Sequence, residues 1–129
     1  MDDAVVDTDV ASLLQRQRLP DQVAEKLKGR TLHLSFITTA EMLRGAFKAN
    51  WGRRRIIELE QWLDPWPKVN SDDQVSEAWA KLVAQREQSG RPIGHNDAWI
   101  AACCVAGQFP LATLNRRHFE GTEGLDLIL

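Results

Sequence analysis

The run Gly94-His95-Asn96-Asp97-Ala98-Trp99-Ile100-Ala101-Ala102-Cys103-Cys104-Val105-Ala106-Gly107, followed by Phe109-Pro110-Leu111-Ala112-Thr113-Leu114-Asn115, decides the fold. Its first part reads as a helix with both ends marked. Asn96 is a favoured N-cap, Asp97 stands in the first turn and Gly107 is the stop. Almost every residue from Asp97 to Gly107 is apolar or small, which predicts burial nearly all round the helix. Pro110 then opens a short apolar run of the kind that forms a buried strand. A carboxylate at the mouth of a buried helix has an ordinary reading, stabilisation by the helix dipole. It acquires a chemical one if other carboxylates reach the same point.

Working outward, 129 residues make one domain over 1–129. A hydrophobic fraction of 43% and a charged fraction of 26% are those of an ordinary globular protein. No apolar run approaches the roughly 20 residues that span a bilayer, and the acidic start Met1-Asp2-Asp3 argues against a signal peptide. The only cysteines, Cys103 and Cys104, are adjacent and read as small core residues in a reducing cytoplasm. A net charge of −2 excludes a global nucleic-acid signature, so nucleic acid would have to be held by a local patch.

Ala4-Val5-Val6 has the character of a buried parallel strand and ends on Asp7-Thr8-Asp9, where Thr8 or Asp9 would cap the helix that follows. Asp7 itself ends the strand, where open α/β sheets place their chemistry. Pro20-Asp21 opens a second helix stopped by Gly29, and Thr31 to Ser35 forms a second strand with His33 packed inside it. Thr38 and Thr39 precede Glu41 in a near capping-box arrangement, making Glu41 a first-turn acid. Met42, Leu43, Ala46 and Phe47 form the apolar stripe of that helix, with Glu41, Arg44 and Lys48 on its other face. Trp51-Gly52-Arg53-Arg54-Arg55 is a turn and a basic cluster leading into a helix from Ile56 to Leu63, which Asp64-Pro65-Trp66-Pro67 breaks. Lys68 to Asn70 is a short strand, and Ser71-Asp72-Asp73 caps a long helix stopped at Ser89-Gly90. Leu125 to Leu129 is a last strand, at an edge.

Strands alternating with helices predict an α/β fold: a parallel sheet of about four to five strands with helices on both faces. Such a fold gathers strand ends and helix starts at one edge, so Asp7, Glu41, Asp97 and Asn115 are expected to converge there. Packed carboxylates repel one another unless a cation is present. Oxygen ligands without Cys or His favour Mg2+, with Mn2+ able to substitute. Such an ion activates water at a phosphodiester, and Arg44, Lys48, Arg53, Arg54, Arg55, Arg116 and Arg117 are candidates to guide the strand by charge. Trp51, Trp62, Leu63 and Trp66 carry more apolar surface than one short helix usually buries. They offer either a groove for an amphipathic partner helix or a completed core.

Four segments carry a resemblance: Val6 to Val10, Thr38 to Ala46, Pro92 to Ala102 and Pro110 to Phe119. Together, in this order and over nearly the whole chain, they resemble a PIN-domain ribonuclease, specifically a VapC-type toxin of a bacterial type II toxin–antitoxin pair. The resemblance implies a single PIN-like domain and magnesium-dependent cleavage of cellular RNA, structured RNA such as tRNA or rRNA, that inhibits translation. It also implies silencing by a small VapB-type antitoxin and assembly into homodimers and toxin–antitoxin hetero-oligomers. It maps the acidic residues onto Asp7, Glu41 and Asp97, with the fourth acidic position falling on the amide Asn115. Two other readings share these residues. Asp7-Thr8-Asp9 fits the opening of a HAD-type phosphatase, with Asp7 as nucleophile, Asp9 as general acid and Thr113 in the second motif. No lysine followed by an acidic pair appears downstream, however, and the chain is short for that fold. A small α/β binding module with incidental acids is the non-enzymatic reading.

Overall fold

The computed structural model describes residues 2–129. In chain order the elements are β1 (Asp3–Val6), α1 (Thr8–Gln15), α2 (Asp21–Leu27), β2 (Thr31–Ser35), α3 (Phe36–Lys48) and α4 (Arg53–Leu63). They continue with β3 (Lys68–Val69), α5 (Asp73–Gln88), α6 (His95–Gly107), β4 (Leu111–Ala112), α7 (Arg116–Phe119) and β5 (Leu127–Ile128). The strands form one parallel sheet in the order β3-β2-β1-β4-β5. The chain therefore walks outward from β1 to β2 and β3, then returns to lay β4 and β5 on the other side. That reversal makes the carboxyl ends of β1 and β4 a topological switch point, where open α/β sheets hold ligands.

Strand alternation divides the core in two. Val5 faces α5, α6 and α7 in one buried cluster, with Ile100, Leu111 and Phe119. Its neighbour Val6 faces the opposite cluster, formed by α1 to α4 with Leu34, Leu59 and Leu63. The helices thus cover both faces, as strand–helix alternation requires. Ala98, Ile100, Ala101, Ala102, Cys103 and Cys104 are all buried, so α6 is enclosed nearly all round. The two thiols are free, and burial pushes the Cys103 thiol up to about 12, which suits inert core residues. Among the described residues no helix is long and apolar enough to cross a membrane.

Four local expectations are corrected. The N-cap of α6 is Gly94, not Asn96, and the helix starts at His95; Gly107 is its last residue and Gln108 takes the left-handed conformation. The cap of α1 is Asp7, whose Oδ1 accepts from the Val10 N–H at 2.9 Å, so neither Thr8 nor Asp9 caps it. Ser35 caps α3, accepting from the Thr38 N–H at 3.2 Å, so the helix begins at Phe36 and Glu41 lies beyond the first turn. Arg53 to Arg55 form the first turn of α4 rather than a basic lead-in to a helix beginning at Ile56. The small residues Gly94, Ser35 and Gly52 cap α6, α3 and α4, while Asp7 caps α1, leaving Asn96, Thr8 and Asp9 for other contacts. Phe47 also leaves its stripe, being 61% exposed.

Candidate active site

Three segments that end at the switch point deliver the acids. Asp7 follows β1, Glu41 rides on α3 behind β2, and Asp97 sits in the first turn of α6. They line one cavity of about 200 Å³ with Thr8, Asp9, Asn115 and His118. Asp7, Glu41, Asp97 and Asn115 are thus brought together as the sequence leads one to expect. Asp9 joins them, although its position had suggested an ordinary capping acid.

Each carboxylate is held by a protein donor. Asp7 is only 4% exposed; Val10 donates to Oδ1, and the buried Thr113 hydroxyl donates to Oδ2. Burial pushes its carboxyl up to about 6. The bonds from Thr113 and Val10 pull the other way, and the charges of Asp9 and Asp97 push further up. Glu41 is gripped at both oxygens, Oε1 by the Thr8 hydroxyl at 2.5 Å and Oε2 by the Asn96 amide at 3.1 Å. Asp97 Oδ2 lies 3.2 Å from His118 Nδ1. Burial raises the Asp97 carboxyl, His118 counteracts that, and Glu41 and Asp9 raise it again. The Asn115 amide donates to Asp9 Oδ2, and its backbone N–H donates to Thr113 Oγ1 at 2.9 Å.

Four residues hold the acids in ways the sequence did not indicate: Thr8 and Asn96 read as helix caps, Thr113 as part of a phosphatase motif, and His118 had no reading. Thr8, Asn96 and Thr113 are neutral donors whose value lies only in which carboxylate they reach. His118 carried one available signal: three residues after Asn115, on a one-turn helix, it returns to the same side. His33, by contrast, stays away from the site. It lies 3.3 Å from Asp3 Oδ1 and packs against Phe109 with centroids 4.7 Å apart.

The oxygen-rich donor set, carboxylates and one amide with no thiol, suits a hard divalent cation, but the expectation of a site without histidine is corrected: His118 also lines the cavity. As placed, no three His, Cys, Asp or Glu side chains among the described residues close on a single point. They are instead spread round the cavity, tied to Thr113, Thr8, Asn96 and His118. Burial is the main cause of the raised carboxyls at Asp7 and Asp97, and the neighbouring acids add to it. The same arrangement is poor for a phosphatase nucleophile, because both oxygens of Asp7 are engaged and the residue is buried.

The basic residues Arg44, Lys48, Arg53, Arg54, Arg55, Arg116 and Arg117 are all exposed. Arg54 pairs with Glu58 at 3.4 Å, and the Arg55 guanidinium lies 3.8 Å over the Trp51 ring. Trp51 lines a groove of about 300 Å³ with Arg16, Met42, Ala46 and Leu59, and this groove shares Thr8, Asp9 and Glu41 with the acidic cavity. Trp62 does not line it; its ring packs on Trp66 with centroids 5.0 Å apart, against the α1–α4 core.

The family model described as PIN domain matches residues 4–125. Among curated proteins, the chain is 37% identical over 134 residues to "VapC ribonuclease Y4jK" of Sinorhizobium fredii, covering 96% of this chain and 94% of that protein. It is 29% identical over 119 residues to "Ribonuclease VapC1" of Haemophilus influenzae strain R2866, covering 90% and 89%. Among solved structures, that of VapBC-1 from nontypeable Haemophilus influenzae superposes with a TM-score of 0.82 at 27% identity, covering 98% and 96% of the two chains. The chain therefore belongs to the PIN-domain family, among its VapC-type ribonucleases.

Proposed function

We propose that this chain is a divalent-metal-dependent endoribonuclease, the toxin of a toxin–antitoxin pair, which arrests translation by cutting structured cellular RNA such as tRNA or rRNA. The observation that carries this reading is the meeting of Asp7, Glu41 and Asp97, from three separate elements, on the walls of one open cavity. Asp7, Glu41 and Asp97 would hold a Mg2+ or Mn2+ ion. Such an ion would supply Lewis-acid stabilisation of phosphoryl charge and a water of lowered pKa. The chain's own residues do the positioning. Thr113 and Val10 fix Asp7 in a buried setting, Thr8 and Asn96 fix both oxygens of Glu41, and His118 fixes Asp97. The exposed arginines of α4 and α7 would meet the RNA backbone, adding affinity without sequence preference. Partnership with a VapB-type antitoxin is supported by the solved relative, which carries the VapBC name. The groove at Trp51, which shares Thr8, Asp9 and Glu41 with the acidic cavity, suits an amphipathic segment of that partner.

The test is RNA cleavage by the purified chain. Cleavage is expected with Mg2+ or Mn2+, stops in EDTA, and falls at least about a hundredfold in Asp97→Asn, by analogy with the loss of one transition-state contact. Neutralising Arg53 or Arg116 should reduce the salt slope of RNA binding by about one. Full activity in chelator, or an Asp97→Asn variant as active as the native chain, overturns the reading.

A further inference from the structure

We infer that Asp9 is the fourth carboxylate of this site: the acid missing at Asn115 is carried by the first turn of α1, and Asn115 is the amide that aims it. The inference rests on the metal-dependent reading above and adds a residue to it. The starting point is the position where the family pattern expects a fourth acid, which this chain fills with an amide. That amide donates directly to Asp9 Oδ2, joining residues 106 positions apart. The neighbouring Thr113 hydroxyl donates in the same way to Asp7 Oδ2. The short segment after β4 therefore aims both acids of the Asp7-Thr8-Asp9 stretch, one through each side chain.

Asp9 has no competing structural duty. The capping bond of α1 is already made by Asp7, and Asp9 is exposed while lining the cavity with Asp7, Glu41 and Asp97. Among the described residues its Oδ1 receives no hydrogen bond, so that oxygen stays free to face a ligand. An acid and an amide joined by a hydrogen bond present one charge and one donor whichever element carries which. A cation responds to the distance of the charge, not to the strand or helix behind it. Moving the carboxylate from the end of β4 to α1 thus preserves a four-acid cavity.

The experiment is Mn2+ titration by calorimetry on the full chain as native protein, Asp9→Asn, Asn115→Asp, and the double variant Asp9→Asn/Asn115→Asp, with thermal unfolding in EDTA as the folding control. Asp9→Asn is expected to weaken Mn2+ binding by at least about tenfold while unfolding at the native temperature. The double variant, which exchanges acid and amide across the same bond, is expected to regain most of the lost affinity; this non-additivity marks directly coupled residues. Asn115→Asp alone, with a fifth charge, is expected to bind Mn2+ more tightly than the native chain. Native affinity in Asp9→Asn, or a double variant no tighter than Asp9→Asn, overturns the inference. If the native chain fails to bind Mn2+ at all, the metal reading falls and this inference with it. If the native chain binds and Asp9→Asn is indifferent, only this inference falls.

Discussion

At the scale of single residues, Asp7 is the most constrained group in the molecule. It caps α1, sits in a buried environment and carries a carboxyl raised to about 6. A carboxyl raised on folding makes the folded state bind its proton more tightly than the unfolded chain. Its contribution to stability is therefore fully present below about pH 4 and is lost as the pH rises through about 6. Ionised Asp7 then costs about 3 kcal/mol in metal-free protein at pH 7.5, from the shift above 3.8. Asp7→Asn keeps an acceptor for the Val10 N–H and removes the charge. In EDTA it should raise the melting temperature at pH 7.5, and the gain should shrink as the pH is lowered from 6 towards 4. A pH-independent difference between the two proteins would show that the charge of Asp7 is not what strains the fold.

Among the elements, α7 is the one whose position most needs explaining. It is a single turn, yet it carries His118 against Asp97 and follows Asn115, so the site depends on it. It is pinned from behind by Arg86, a cation only 4% exposed on α5. Arg86 Nε donates to the Arg91 carbonyl at 2.6 Å, and Nη1 donates to the His118 carbonyl at 3.3 Å and the Thr122 hydroxyl at 2.8 Å. These partners are neutral, so the guanidinium acts as a multi-pronged donor to backbone turns rather than as half of an ion pair. Burial, with Arg91 nearby, lowers its pKa. Arg86→Met keeps much of the apolar stem and strands three acceptors. Set against relief of the buried charge, the net loss is expected to be about 2 kcal/mol in urea unfolding. The variant should also cleave RNA more slowly because α7 loosens. Native stability in Arg86→Met would mean that the desolvation of the guanidinium cancels its bonds.

Across the whole molecule, the acidic cavity and the Trp51 groove lie side by side, with Thr8, Asp9 and Glu41 lining both. A partner segment lying in the groove would also block the acids, and a basic side chain entering the cavity would relieve their repulsion as a metal does. The two tryptophans should then behave differently. Trp51→Ser is expected to fold and to lose about tenfold or more in antitoxin affinity, as a partly buried aromatic at a binding groove does. Trp62→Ser, which removes packing against Trp66 and the α1–α4 core, should instead lower stability with little change in affinity for the molecules that fold. Normal antitoxin binding by a folded Trp51→Ser variant would place the interface elsewhere.

The sequence by itself determined the order of strands and helices apart from the one-turn α7, the buried character of α6 and the core role of Cys103 and Cys104. These follow from local periodicity, from Gly and Pro punctuation and from composition, all of which act within a few residues. It also marked Asp7, Glu41, Asp97 and Asn115 for one edge of the sheet, although Glu41 lies beyond the first turn of α3 and not in it. The caps were less legible. Ser35 competed with Thr38 and Thr39, Gly94 with Asn96, and Asp7 with Thr8 and Asp9, and propensities that differ by fractions of a kcal/mol do not rank such neighbours. Only the tertiary structure decided that Asn96 serves Glu41, that His118 serves Asp97, that Arg86 holds α7 and that Asn115 reaches Asp9. The physical reason is distance along the chain. Asn115 and Asp9 lie 106 residues apart, on segments that meet only because β4 returns to pair with β1. No local preference records a side-chain contact that exists only once the sheet has closed.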